Sequence, residues 1–266
     1  MQEYNKSDRQ IHWLSQVLAK ANRAYVPAQK DDSHTNLYFD VVEKRILGRW
    51  IDGPRGKIIL ALNLQSLSFK WLDIRQSTLH EVSVLNNSME RLERSVIEYP
   101  GSLNMRTEEF SRPLHFEISD YKIEKLNKGD ISEEGFMSWI FFRDLANMAC
   151  QYMLGYLQLE SEIRIWPHHF DTGIYTRVSE NLGLGFGLAM EDSMIGRPYF
   201  YMSGYNIESP ISYLNLNRLS AGEWEIGEQW NGAVLALNDI SATSNEEAIK
   251  MIQSFIKETA IWYLNN

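Results

Sequence analysis

Apolar residues recur at helical spacing in four stretches and alternate in several others, and the order of these patterns predicts the fold. Between residues 7 and 25, Ile11, Leu14, Leu18, Ala21 and Tyr25 share one face, with Ser7 and Gln10 spaced as a capping box ahead of them. That spacing predicts an amphipathic helix with His12 and Trp13 off the central stripe, which puts His12 at the surface or its boundary. The runs NLYFDVV, RILGRWI, KIILALN and LSFKWLD read as strands, because Leu37, Phe39 and Val41 alternate, as do Leu67, Phe69 and Trp71. DGPRG between the second and third runs is a turn signal, so the region predicts an antiparallel meander. Helical spacing returns over 79–98 through Leu85, Met89, Leu92 and Val96.

YPGSLNMRTEEFSRP has turn residues and charges without periodicity and predicts a long connection, followed by a short strand, LHFEI. A long helix is expected over 133–157. Phe141, Leu145, Met148 and Tyr152, with Phe136 and Ile140, would form its buried face, leaving Arg143, Asp144, Asn147 and Gln151 as a narrow solvated stripe. EIRIWPHHFDTGIYTRV, LGLGFGLAM, RPYFYMSGY and NGAVLAL then predict a second antiparallel sheet. Thr243 and Ser244, three residues ahead of Glu246 and Glu247, cap a closing helix whose apolar face is Ile249, Ile252, Phe255, Ile256 and Tyr263. The expected class is α+β, with antiparallel sheets flanked by helices and two similar halves in place of a residue-level repeat. The expected division is 1–110 (helix, antiparallel meander, helix) and 111–266, which carries WPHHFD, unless the two merge into one continuous domain.

Composition narrows the function classes. With 44% hydrophobic and 12% aromatic residues, 266 residues can bury a substantial core. A net charge of -9, from 26 basic and 35 acidic residues with no basic run, argues against gripping nucleic acid or an anionic membrane by bulk electrostatics. No apolar run reaches the length of a membrane span, and the opening residues lack the pattern of a secretory signal. The single cysteine, Cys150, excludes an intrachain disulfide and suits a reducing compartment, so a cytoplasmic protein is expected. Cys150 sits in an apolar helical context and reads as a buried structural thiol. Oligomeric state is not set by any of these features.

Candidate chemistry concentrates in WPHHFD. If 168–171 is extended, His168 and His169 point to opposite faces, whereas His169 and Asp171 share one and make half of a divalent-metal site. Pro167 supplies the alternative, a bend that brings both imidazoles together. The structural reading gives one histidine a backbone carbonyl and Asp171 a turn; it is preferred because His-His-Phe-Asp lacks the spacing of recognised zinc motifs. The other histidines, His12, His34, His80 and His115, form no second cluster in the sequence. Gly183, Gly185 and Gly187 strip the side chains from one face of a strand, for a packed ring or a closely bound ligand, and Glu191 and Asp192 follow at its end. Tyr199, Tyr201, Tyr205, Trp224 and Trp230 add aromatic surface.

Taken together, IWPHHFDTGI, GFGLAMEDSMIGRPYFYMSGY and WNGAVL resemble a family of bacterial proteins without an assigned activity. Its members pair a Trp-Pro-x-His-Phe-Asp stretch with a Gly-and-acid turn leading into a Pro-Tyr-Phe-Tyr strand. The resemblance covers mainly 160–237 and is carried by Trp166, Pro167, His169, Phe170, Asp171, Pro198, Tyr199 and Tyr201. Leu188, Ala189, Met190 and Glu191 stand where the family has Ser-Pro-Gly-Asp, leaving Glu191 or Asp192 to replace that acid. The resemblance implies grouping and no activity. Three functions follow as expectations. The first is a small-molecule-binding protein whose pocket is lined by His168, His169, Asp171, Tyr199, Tyr201 and Trp230. The second is a metal-dependent hydrolase-like enzyme in which His169 and Asp171 hold the metal and His168, Glu191 or Asp192 acts as ligand or base. The third is a structural or oligomerisation module.

Overall fold

A computed structural model describes every residue except 242. Its described residues form helices and two antiparallel sheets, so the α+β class read from the periodicities holds. The chain divides into an N-terminal unit, Gln2–Phe141 with Arg164–Phe170, and a C-terminal unit, Phe142–Ile163 with Asp171–Asn266 and Met1. The expected division at 110/111 thus falls inside the N-terminal unit. The physical reason is that the connection is fastened to the first helix. The guanidinium of Arg23 donates to the carbonyls of Glu109, Arg112 and Pro113, and Gln10 donates to the carbonyl of Asp130.

In the N-terminal unit, α1 (Gln2–Tyr25) leads into β1 (Tyr38–Asp40), β2 (Arg45–Leu47), β3 (Ile51–Gly53), β4 (Gly56–Asn63), β5 (Ser68–Asp73) and β6 (Thr78–Ser83), closed by α2 (Met89–Ser102). The strand order is β1-β2-β4-β5-β6, with β3 also paired to β4 through the DGPRG hairpin. β6 lies where helical spacing was expected to begin. Its weak alternation hides an edge strand in which Val82 faces Phe69 and His80 faces Trp71. LHFEI is irregular rather than a strand. A two-residue strand, β7 (Arg164–Ile165), meets Leu37 through reciprocal backbone bonds of 2.8 and 2.9 Å between Leu37 and Ile165.

α1 starts five residues before the expected cap, so Ser7 and Gln10 are helix interior and both buried. Beyond its apolar stripe the helix buries Asp8, His12, Gln16 and Asn22. Buried polar groups need partners, and here these reach loop backbones and side chains. Asn22 donates to the carbonyls of Thr35 and Asn36 and accepts from the Arg49 N–H, while Asp8 accepts from the Trp139 indole at 2.7 Å.

α3 (Glu133–Leu157) has the expected bounds, and the Ser132 hydroxyl caps it by accepting from Gly135 N–H. Its orientation differs from the expectation. Arg143 is 0% exposed and Asn147 is buried, whereas Phe141 and Met148 are 40% and 47% exposed. Within the C-terminal unit, Arg143 Nη1 donates to Thr172 Oγ1 at 2.9 Å and toward the Leu188 carbonyl at 3.4 Å. The small residues Ala146, Ala149 and Cys150 are buried with it.

The C-terminal unit continues through β8 (Thr172–Arg177), β9 (Leu182–Ala189), β10 (Tyr199–Asn206), β11 (Glu223–Ile226) and β12 (Asn231–Ala236) to α4 (Leu237–Ser241) and α5 (Asn245–Asn265). Its strands run in the order β11-β12-β10-β9-β8, all antiparallel. Ser244 and Glu247 form the expected capping box of α5. Phe186, Phe200 and Met202 carry the apolar side of the sheet, and Phe255, Ile256 and Tyr263 the buried side of α5; Ile249, expected among the latter, is 39% exposed. Each unit therefore carries an antiparallel sheet with helices before and after it in sequence, which is compatible with two similar halves.

Candidate functional site

The stretch at 166–170 is a turn in the N-terminal unit, not an extended strand. Phe170 N–H donates back to the Trp166 carbonyl at 2.6 Å, and Phe170 takes a φ of +57°. That left-handed conformation is uncommon for a bulky residue and persists only where surrounding contacts fix it. Phe170 is fully buried, stacked on His12 at 4.8 Å and on Trp139 at 5.9 Å between ring centroids. His12, expected at the surface, is 2% exposed. Its Nε2 lies 2.8 Å from the Pro167 carbonyl oxygen, which also accepts from Gln16 at 2.9 Å, and its Nδ1 lies 2.7 Å from Tyr121 Oη. A carbonyl only accepts, so Nε2 carries a proton and donates to Pro167, while Nδ1 shares a hydrogen bond with the Tyr121 hydroxyl. Burial pushes the Tyr121 phenol up to about 12.

The turn brings the two imidazoles together, as the Pro167 alternative required: the rings of His168 and His169 are 4.3 Å apart, the first half-buried and the second exposed. His115 and Phe116 belong to the same surroundings. Phe116 contacts the His168 ring at 5.6 Å, and His115 Nε2 is 3.4 Å from Asp32. Burial, then the neighbouring His169 and His115, pulls His168 down to about 4. Among the described residues no three His, Cys, Asp or Glu side chains gather as a metal site. The half-site drawn from His169 and Asp171, with Glu191 or Asp192 as a further ligand, therefore gains no third ligand; His169 falls in the N-terminal unit and Asp171 in the C-terminal one.

In the C-terminal unit, Asp171, Gly173, Gly187 and Tyr201 form one arrangement. Gly173 pairs with Gly187, and Gly187 with Tyr201, across three neighbouring strands. The Tyr201 hydroxyl crosses both glycines and donates to Asp171 Oδ2 at 2.6 Å. A Cβ on Gly173 or Gly187 would lie 3.1 or 3.0 Å from that hydroxyl and closer still to backbone, 2.6 Å from the Phe186 carbonyl oxygen or 2.5 Å from that of Thr172. The bare strand face is thus the track along which a phenol reaches a buried carboxylate. Desolvation, with Asp171 beside it, holds the Tyr201 phenol well above its ordinary value. The other strand glycines are covered too: Tyr175 lies over Gly183, and Tyr205 and Ser203 lie against Gly185.

Asp192 serves its own turn, accepting from the N–H groups of Met194 and Ile195, and its second oxygen accepts from the Tyr199 hydroxyl at 2.7 Å. Burial first, then that carboxylate, raises the Tyr199 phenol. Glu191 is half-buried, and Trp230 lies over Gly232 of β12. The structure therefore joins Asp171 to Tyr201, Asp192 to Tyr199 and His168 to His169, and Trp230 enters none of these pairs. Cys150 is fully buried and its thiol is pushed up by that burial, in keeping with a structural role.

A concavity that the sequence reading missed lies between α3 and α5 of the C-terminal unit. Its volume is about 360 Å³, walled by Leu145, Met148, Ala149 and Tyr152 from α3 and Ile249 and Ile252 from α5. The amides of Gln151 and Gln253 stand among these apolar groups. The only sequence signal was indirect: Met148 and Ile249 fit apolar stripes, yet nothing required both to be solvent-facing. No helix among the described residues is long and apolar enough to cross a membrane. The chain matches no protein-family model, no curated protein and no solved structure.

Proposed function

We propose that the protein binds a small, largely apolar organic molecule in the cleft between α3 and α5, a reading that keeps the small-molecule function expected from the sequence and relocates its site. The observation that supports it is the cleft's make-up: a volume of about 360 Å³, aliphatic walls, one phenol and two amides. Ligand sites are typically concavities of roughly this size, mostly apolar, with few polar groups to orient the guest. WPHHFD has another use in this reading. His12 and Gln16 hold the Pro167 carbonyl, and Tyr201 holds Asp171, so the motif's fixed atoms are committed to internal bonds. Binding at the cleft is tested by following the Met148 methyl signal in a ¹³C-methyl NMR spectrum while small apolar compounds are titrated. A saturable shift of Met148, lost in Ala149→Leu, whose larger side chain fills the floor, supports the proposal. Compounds that bind without moving Met148, or that bind Ala149→Leu unchanged while near-UV circular dichroism shows it folded, overturn it.

A further inference from the structure

One end of this cleft has a cation beside it. None of the residues lining it is ionisable to a carboxylate, and the ammonium of Lys257, one turn beyond Gln253 on α5, stands 5.9 Å from the centroid of the Tyr152 ring that walls one end. Tyr156 stacks parallel to Tyr152 at 6.3 Å, so that end is a pair of aromatic rings with a cation over one of them. The other lysine on this part of α5, Lys250, is paired to Glu246 at 2.6 Å, whereas among the described residues Lys257 has no carboxylate partner. In a chain of net charge -9, a cation without a carboxylate partner beside an aliphatic cleft makes that end of the cleft amphipathic. Resting on the cleft reading above, we infer that the ligand is a single-chain amphiphile with an anionic head: the alkyl chain lies between Leu145, Ala149 and Ile252, and a carboxylate or similar anion meets Lys257 at the Tyr152 end.

The direction follows from elementary terms. Each methylene removed from water strengthens binding about fourfold, so the chain supplies most of the affinity and is indifferent to the head group. An exposed ion pair adds little and is screened by salt, so the head group supplies selectivity of a few-fold. A long side chain such as lysine also keeps its ammonium in water while its stem covers apolar surface, so removing the charge need not open the cleft.

The experiment compares decanoate, decanol and decyltrimethylammonium, each below its aggregation concentration, by calorimetry on the full chain at low salt, in the wild type and in Lys257→Gln, with Met148→Trp as a cleft-blocked control. Decanoate is expected to bind about fivefold tighter than decanol and tighter still than the cation, with the advantage lost in about 1 M salt and in Lys257→Gln. Equal binding of all three, reduced by Met148→Trp, leaves the cleft as a binding site and overturns the anionic head group. A decanoate preference that survives in Lys257→Gln overturns the role of Lys257. Absence of binding by all three in the wild type overturns both the inference and the cleft reading beneath it.

Discussion

Replacing His12 tests whether the WPHHFD turn is held from α1. In His12→Ala the Pro167 carbonyl keeps Gln16, the Tyr121 hydroxyl loses its His12 partner, and the Phe170 ring keeps Trp139 but loses the nearer of these two stacked rings. Two hydrogen bonds at about 1 kcal/mol each and a ring pair at about 1 kcal/mol give a loss of about 3 kcal/mol, the half-buried Tyr121 hydroxyl being able to turn to water. His12→Phe preserves ring shape and stacking while deleting both polar contacts, so about 2 kcal/mol is expected. Urea unfolding followed by fluorescence measures both. A double-mutant cycle with Tyr121→Phe should return a coupling of about 1 kcal/mol, because the two side chains share a bond. The ¹⁵N shifts of the His12 ring should report a proton on Nε2. A loss below about 1 kcal/mol in His12→Ala, or a neutral ring carrying its proton on Nδ1, would refute the anchoring scheme.

Further predictions concern separate parts of the molecule. Tyr201→Phe removes the donor to a buried carboxylate and should cost about 2 kcal/mol in the same unfolding assay, whereas a neutral result would detach Tyr201 from Asp171. Gly187→Ala forces a methyl to within 2.5 Å of the Thr172 carbonyl oxygen and 2.8 Å of Gly173 Cα, so it should lower the melting temperature sharply. Gly155→Ala in α3 meets open space and should stabilise by up to about 1 kcal/mol; equal behaviour of the two variants would contradict the glycine track. His168 has a folded value near 4, below its ordinary 6.5, so the unfolded chain takes up the proton first as pH falls. Stability is full above about 6.5 and declines from there towards pH 4, by about 1 kcal/mol once the half-exposed ring is discounted for screening. His168→Asn should flatten that part of the stability profile, and an unchanged slope would count against the assignment.

Local patterning determined much of the architecture. Period-2 runs such as Leu67, Phe69 and Trp71, the DGPRG turn and the Ser244–Glu247 box each act over a few residues, so spacing alone located β5, the β3–β4 hairpin and the start of α5. Other features were decided by distant partners. Arg143 belongs to a polar stripe by spacing, yet it is buried because Thr172 and Leu188 lie where its guanidinium can donate. His12 lies off the apolar stripe of α1, yet it is internal because a carbonyl 155 residues away needs a donor. The sequence could mark Gly173, Gly187, Asp171 and Tyr201 as unusual one at a time. Only strand register could align them, since a shift of one residue would send Tyr201 to the other face of the sheet. The α3–α5 cleft was the least legible feature, because a concavity depends on how two helices pack, and helical spacing specifies one face of each without saying which face meets its neighbour.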